Sequence, residues 1–73
     1  MPRKPNPKKI LEGIIENHLK FLEYERSIGK SNTDNSVMYE YAQIMVYIAR
    51  YKKHSNLAST GYYSGRLADL MKP

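Results

Sequence analysis

The sequence contains no cysteine, which excludes disulfides and thiolate ligands for a metal. The two histidines, His18 and His54, lie far apart in the chain, so we expect no cluster of ligands around either. The sequence therefore predicts neither a metal nor another cofactor. A chain of 73 residues buries only a small core, and self-association is the usual support that remains for it.

Long apolar runs are also missing, since none approaches the roughly 18 to 20 residues that a membrane-spanning helix requires. The basic N-terminus is not followed by an uninterrupted apolar segment, because Glu12 and Glu16 interrupt it. A signal peptide is therefore not expected. With no cysteine either, the sequence predicts a soluble cytoplasmic protein.

Recognisable catalytic patterns are absent from the sequence. Gly61 and Gly65 have no preceding predicted strand and no following Lys-Ser or Lys-Thr pair, so they do not form a phosphate-binding loop. No nucleophile lies beside a base at a recognisable spacing. We therefore expect that the protein is not an enzyme.

Positive charge exceeds negative charge, with twelve lysines and arginines against seven acids, a net charge of +5 and a pI near 9.6. This balance favours acidic partners, with nucleic acid first. Four cations lie near the N-terminus with no acid among them, namely Arg3, Lys4, Lys8 and Lys9. Prolines oppose a helix there, so we predict that residues 1–6 form a flexible basic arm. The arm would lie along a phosphate backbone or enter a groove, or it would serve as a solubilising tail.

The most apolar segment, residues 37–51, has its apolar side chains at helical spacing in two adjacent stripes. The first stripe contains Val37, Tyr41, Ile44, Ile48 and Tyr51. The second stripe contains Met38, Ala42, Met45 and Ala49. Because such a helix must be covered from more than one side, we predict that the second stripe is a homodimer interface. Packing by another helix of the same chain is the alternative.

Local signals place one helix before this segment and one after it. Asn6 and Pro7 predict the start of a helix that ends near Ile28, with Gly29 as its left-handed stop. A polar connection follows at residues 30–35, in which Thr33, Asp34 and Ser36 compete as the N-cap of the central helix. The second connection is predicted at residues 55–64, and a short last helix at about residues 63–71. Its inward residues would be Leu67, Leu70 and Met71.

These elements predict an all-α fold in which residues 7–73 form a single helical domain. Its first two helices would make a long antiparallel hairpin, the short C-terminal helix would dock on it, and the whole would be a homodimeric helical bundle.

The first helix has an apolar and a polar side at 100° per residue. The apolar side contains Ile10, Leu11, Ile14, Ile15, Phe21, Leu22 and Ile28. The solvent side would be acidic and contains Glu12, Glu16, Lys20 and Glu23, with Glu16 and Lys20 as a favourable pair. His18 and Glu25 interrupt the apolar side, so they need polar partners. Tyrosine hydroxyls of the central helix or the same groups of a second copy would supply them.

The C-terminal third resembles a helix-turn-helix, because a basic helix end precedes a glycine-containing turn and a short helix. The cations Arg50, Lys52 and Lys53 either complement the helix dipole or bind phosphate. In the following helix, Arg66 would read guanine or bind phosphate, and Ser64 would bind phosphate. Seven tyrosines against one phenylalanine suit an interface, and Tyr62 is a contact candidate. The predicted nucleic-acid contacts are Arg3, Lys4, Lys8, Lys9, Arg50, Lys52, Lys53, Tyr62, Ser64 and Arg66.

A second resemblance lies in residues 21–48. Its residues are Phe21, Leu22, Gly29, Ser31, Thr33 and Tyr39 or Tyr41. They resemble the first helical hairpin of the core-binding domain of tyrosine recombinases, although the spacing after Gly29 differs by at least a residue. The resemblance covers less than half of the chain and implies a DNA-clamping hairpin without chemistry.

The sequence therefore predicts a small basic nucleic-acid-binding regulator or accessory protein, with DNA favoured over RNA. The alternative is a protein-interaction module that binds and regulates a larger protein through its tyrosine- and methionine-rich surface. Either type would suit a phage, viral or plasmid accessory protein.

Overall fold

The computed structural model describes residues 6–73, so the predicted contacts Arg3 and Lys4 and most of the predicted arm lie outside the described residues. Residues 6–73 form three helices and no strand: α1 (Pro7–Ser27), α2 (Asn35–Lys52) and α3 (Leu57–Leu70). The predicted all-α class is confirmed. None of these three helices is both long and apolar enough to cross a bilayer.

Both ends of α1 follow the local sequence signals. The side chain of Asn6 accepts hydrogen bonds from the backbone N–H groups of Lys8 at 3.0 Å and Lys9 at 3.4 Å. Pro7 occupies the first turn, where its missing N–H costs nothing. After Ser27 the chain reverses at Gly29, whose φ of +92° is in the left-handed region.

Helix α2 begins after Asp34, whose carboxylate accepts the backbone N–H of Ser36 at 2.9 Å. Of the three candidate N-caps, Asp34 is therefore the one used. The first stripe of α2 faces the core: four of its side chains are buried and Tyr41 is partly buried. The other buried apolar residues of the core are Ile15, Leu19, Leu22, Tyr63 and Leu67.

The predicted start of the last helix was wrong, because α3 begins at Leu57 rather than near Tyr63. Asn56 caps it, and its side-chain oxygen accepts the backbone N–H of Ser59 at 2.8 Å. Gly61, which lay in the predicted connection, is inside the helix, as is Gly65. A glycine in a helix costs about 1 kcal/mol relative to alanine. Burial of Tyr63 against the other two helices offsets that cost.

The acidic side of α1 was predicted to face solvent, and this was wrong for Glu12 and Glu16, which are partly buried, whereas Lys20 and Glu23 are exposed. Tyr51 donates a hydrogen bond from its hydroxyl to Glu12 at 2.6 Å. Arg66 of α3 donates to Glu16 at 2.6 Å and to Glu23 at 3.5 Å. Glu16 thus pairs with a residue of α3 instead of Lys20, because α3 packs against this side of α1.

Part of the predicted apolar side of α1 faces solvent instead. Leu22 and Ile15 are fully buried, but Ile10, Phe21 and Ile28 are each half exposed. The helix is therefore rotated so that its acidic edge meets α3 and its outermost apolar edge remains open.

Side-chain contacts show which ends of the three helices lie next to each other. Glu12, near the start of α1, contacts Tyr51 near the end of α2. Glu25, near the end of α1, contacts Ser36 at the start of α2. The end of α1 also contacts the end of α3, because the Arg26 side chain donates to a backbone carbonyl there. The start of α1 and the end of α2 therefore share one end of the molecule.

Candidate nucleic-acid interface

A four-residue turn, residues 53–56, joins α2 to α3. Turns of three to four residues are typical of helix-turn-helix units. Because α3 begins earlier than predicted, this connection is much shorter than the sequence suggested. The observed turn length agrees with the resemblance of this region to such a unit.

Five of the predicted contact residues are brought to one end of the molecule, which we call the basic end. They are Lys8, Lys9, Arg50, Lys52 and Lys53. The contact between Glu12 and Tyr51 brings the first turns of α1 to the last turn of α2. Lys8 is partly exposed and the other four are exposed. Within residues 6–73, none of the five takes part in an ion pair.

The chain segment that runs from the middle of α2 to near the end of α3 contains no acidic residue. Between Glu40 and Asp69 the sequence has no aspartate or glutamate. The second half of α2, the turn and nearly all of α3 are therefore neutral or positive. The absence of acids from this segment can be read from the sequence. Only the structure shows that α2 and α3 lie side by side, so that the segment forms one surface. A polyanion that approaches this surface meets no carboxylate from these segments.

The outer face of α3 is formed largely by small residues. Ala58, Gly61, Gly65 and Ala68 are all exposed, with Tyr62 among them at 58% exposure. Apart from its chain neighbours and the backbone of its own helix, a Cβ atom at Gly61 or Gly65 would meet nothing within 4 Å. Little side-chain bulk therefore separates this face of the helix from a ligand. Ser64, another predicted contact, is exposed next to it.

Arg66 has a different environment from the other predicted contacts. Its guanidinium bonds Glu16 at 2.6 Å, reaches Glu23 at 3.5 Å and lies over the ring of Tyr62 at 5.4 Å. Only 23% of the side chain is exposed. Arg66 therefore connects α3 to α1, and its contact with nucleic acid stays a prediction that requires it to leave Glu16.

The second stripe of α2 is exposed along its whole length. Met38 and Met45 are about half exposed, at 51% and 50%, and Ala42 and Ala49 are exposed as well. Beside the stripe a groove of about 360 Å³ runs between α2 and α3, with Met45 and Ala49 on one wall and Leu57 on the other. Neither α1 nor α3 covers the stripe.

The opposite end of the molecule, where α1 turns into α2, has its charges paired. Glu25 is 1% exposed, and its carboxylate accepts Lys30 Nζ at 2.8 Å and Ser36 Oγ at 2.5 Å. These hydrogen bonds from Lys30 and Ser36 lower the pKa of Glu25. The bond to Glu25 raises the pKa of Lys30. Lys30 therefore stays an ammonium and cannot act as a base for the Ser36 hydroxyl 3.0 Å away.

Arg26 holds the end of α3 at this same end of the molecule. Its Nε donates to the carbonyl of Leu70 at 2.7 Å, and another guanidinium nitrogen donates to the carbonyl of Lys72. Asn32 donates to the carbonyl of Met71 at 3.1 Å. Helix ends leave such carbonyls without partners, and here side chains of α1 and the loop supply them. No pattern in the sequence indicated these bonds, because the partners are about 40 residues apart.

His18, like Glu25, has a partner that the sequence did not predict. Its Nδ1 lies 2.7 Å from Glu40 Oε2, and its ring stacks on Tyr47 with centroids 5.4 Å apart. The expectation of tyrosine hydroxyls was therefore wrong for both residues, since His18 bonds Glu40 and Glu25 accepts from Lys30 and Ser36.

Comparison of the chain with protein-family models, with curated proteins and with solved structures found no match. Its function is therefore inferred from the geometry of the chain alone.

Proposed function

We propose that this protein is a small nucleic-acid-binding regulator or accessory factor that catalyses no reaction. It contacts DNA through the basic end and the exposed face of α3. The observation that carries this proposal is the group of five cations that form no ion pair within residues 6–73. They lie beside a neutral or positive α2–turn–α3 segment.

The two parts of this surface have different roles in the proposal. The cations of the basic end bind phosphate oxygens, which gives affinity and orientation without sequence information. The exposed face of α3 enters a groove, where Tyr62 and Ser64 make the closest side-chain contacts. The small residues around them allow the helix backbone to approach the bases.

The proposal includes an antiparallel hairpin of α1 and α2. Its support is the order of contacts, in which Glu12 meets Tyr51 while Glu25 meets Ser36. Only this arrangement places Lys8 and Lys9 beside the end of α2. A parallel arrangement would separate the two groups of cations by the length of a helix.

Placing cations at the end of α2 also has a structural benefit, because positive charge there complements the helix dipole by about 0.3–1 kcal/mol. Arg50 and Lys52 lie in the last turn and gain from this effect. Lys8 and Lys9 do not, because they lie in the first turn of α1, where the dipole disfavours positive charge. The cations of α1 therefore support a role in binding rather than in stability.

The test is fluorescence anisotropy with a labelled DNA duplex of about 20 base pairs, measured over a range of salt concentrations. Five phosphate contacts predict a slope of about −4.5 for log K against log salt. The triple variant Arg50→Glu, Lys52→Glu, Lys53→Glu should abolish binding at moderate salt and keep the helical circular dichroism spectrum. An RNA duplex of the same length, used as competitor, tests the preference for DNA.

The matched control is a single charge reversal on a different surface. Lys20 is exposed on α1 and belongs to no predicted contact surface. Lys52→Glu should weaken binding much more than Lys20→Glu, although both change the net charge equally. Equal losses, or no binding by the wild type at low salt, would contradict the proposal.

The homodimer is part of the proposal, and a protein-interaction module is the second candidate function. The exposed second stripe and the neighbouring groove favour an apolar partner of some kind. For the homodimer, sedimentation should give twice the mass of one chain, and Ala42→Glu should reduce it to one. For the second candidate, nucleic-acid affinity would be negligible and a different protein would bind in a fixed ratio.

A further inference from the structure

We infer that the second stripe is a self-complementary surface, on which α2 packs antiparallel against α2 of a second copy. The two-fold axis passes between Met45 and Val46. This inference rests on the proposed homodimer and specifies its geometry, which the proposal itself leaves open.

The surface in question is wider than the second stripe alone. Tyr39 and Val46 lie next to the stripe and are 63% and 48% exposed. With Met38 and Met45 they make the outer side of α2 apolar from its first turn to its centre. Contiguous exposed apolar surface of this kind marks an interaction site, because isolated soluble proteins rarely leave it in water.

The placement of the small residues fits a two-fold axis at the centre of α2. Ala42 lies three residues before Met45, and Ala49 lies three residues after Val46. In an antiparallel pair, Ala42 of one copy therefore faces Ala49 of the second copy, on both sides of the axis. A two-fold interface requires this self-complementarity. Pairs of small residues let the two helices approach closely at both places.

Charge decides between a parallel and an antiparallel arrangement. Asp34 caps the start of this helix, whereas the cations lie at its end. Parallel packing would place Arg50, Lys52 and Lys53 beside the same residues of the second copy. Antiparallel packing brings these cations toward the Asp34 end of the second copy instead. The cations of the two copies are then kept apart.

The antiparallel geometry has a consequence for nucleic-acid binding. The two copies of Lys52 lie on opposite sides of the axis, about 20 Å apart along α2 at 1.5 Å per residue. The dimer then presents two separate basic ends. Two linked sites bind a long polyanion more tightly than either site alone.

Single cysteines test this geometry directly, because the chain has none of its own. A disulfide between two copies requires the two Cβ atoms to lie about 4 Å apart, which only positions near the axis satisfy. Val46→Cys should therefore cross-link to itself under mild oxidation. Met38→Cys should not cross-link to itself, but a mixture of Met38→Cys and Lys53→Cys should give the mixed product.

Two comparisons serve as controls. Lys20→Cys, on the exposed side of α1, should give only the slow cross-linking of random collisions. Ala49→Glu, added to Val46→Cys, should lower the cross-linked fraction to that background. Because Ala49 is exposed, this variant should keep the helical spectrum of the wild type.

Either of two results would overturn the inference. Self-linking of Met38→Cys as fast as that of Val46→Cys would show parallel packing. Sedimentation of the wild type as a single chain would show that α2 has no second copy against it. None of these measurements uses nucleic acid, so failure of the dimer and failure of DNA binding are separate outcomes.

Discussion

The two ends of this molecule use their charged residues in opposite ways. At the turn end, formed by the end of α1, the start of α2 and the end of α3, Arg26 and Lys30 bind partners within the chain. At the basic end, the exposed cations have no ion-pair partner in the described part of the chain. The comparison separates cations that hold the fold from cations that are available to a ligand.

The difference arises from which segments pack against the cations at each end. At the turn end, backbone bonds close α3, and the residues that follow pack beside α1 and the loop, where Arg26 and Asn32 donate to the carbonyls of Leu70 and Met71. At the basic end, α2 is closed by its own backbone. The N–H of Lys53 bonds Arg50 O at 3.2 Å, and the N–H of His54 bonds Tyr51 O at 2.9 Å. Within residues 6–73, no other segment brings a carboxylate into an ion pair with the cations of this end, so they remain exposed.

The largest expected effect is that of Arg26→Ala. This change leaves the carbonyls of Leu70 and Lys72 without their donor, and it should destabilise the fold by about 2–4 kcal/mol. In a domain of this size each 1 kcal/mol lowers Tm by about 4–8 °C. Thermal unfolding followed by circular dichroism measures the shift.

Arg50→Ala is the control for Arg26→Ala at the other end. Arg50 is exposed, has no ion pair within residues 6–73 and lies 5.8 Å from the centroid of the Tyr47 ring, so the change should cost no more than about 1 kcal/mol. If the two substitutions lower the stability of the fold equally, the proposed contrast between the two ends is wrong.

The next effect is a change in the pH dependence of stability caused by Glu25→Gln. The pKa of Glu25 in the folded protein lies below its ordinary value of 4.5. Its contribution is therefore fully present above that pH and is lost as the pH falls through the lower, folded value. The variant should be less stable at neutral pH and should lose less stability on acidification.

Urea unfolding at several pH values between neutral and about 3 measures this dependence for Glu25→Gln. Asp69→Asn is the control, since Asp69 is exposed and pairs only with its neighbour Lys72. A curve for Glu25→Gln as steep as that of the wild type would show that Glu25 does not contribute to the acid sensitivity.

The smallest effect is expected for Tyr51→Phe, which removes the bond to Glu12 near the basic end. The ring stays in the core, and Glu12 remains partly exposed, so water replaces the lost donor. We expect a loss of about 1 kcal/mol, measured by the same thermal unfolding. A loss as large as that of Arg26→Ala would mean that the basic end depends on side-chain bonds as much as the turn end does.

Local signals in the sequence predicted most helix boundaries but not the start of α3. Asn6, Gly29 and Asp34 act through bonds and φ values within a few residues, so they can be recognised without the fold. Gly61 misled the prediction because glycine is unfavourable inside a helix. Here the docking of Tyr63 and Leu67 on the core keeps the helix continuous through this glycine.

The candidate site could be predicted only in part, and Arg66 shows why. The sequence identified it as a cation in a helix with a possible contact, just as it identified Arg50 and Lys52. The structure places Arg66 against Glu16, which is 50 residues earlier in the chain. Such a partner cannot be read from spacing along the sequence, because it depends on how α3 lies on α1.

The sequence by itself determined the three helices, the apolar stripes and the excess of positive charge, since these follow from composition and from periodicity within one segment. Only the tertiary structure decided which charges are paired and which stripe is open. Those outcomes depend on the packing of segments that are distant in the chain. Arg26 and Lys52 are both cations near the end of a helix, and only the residues packed against them give one a partner and leave the other exposed.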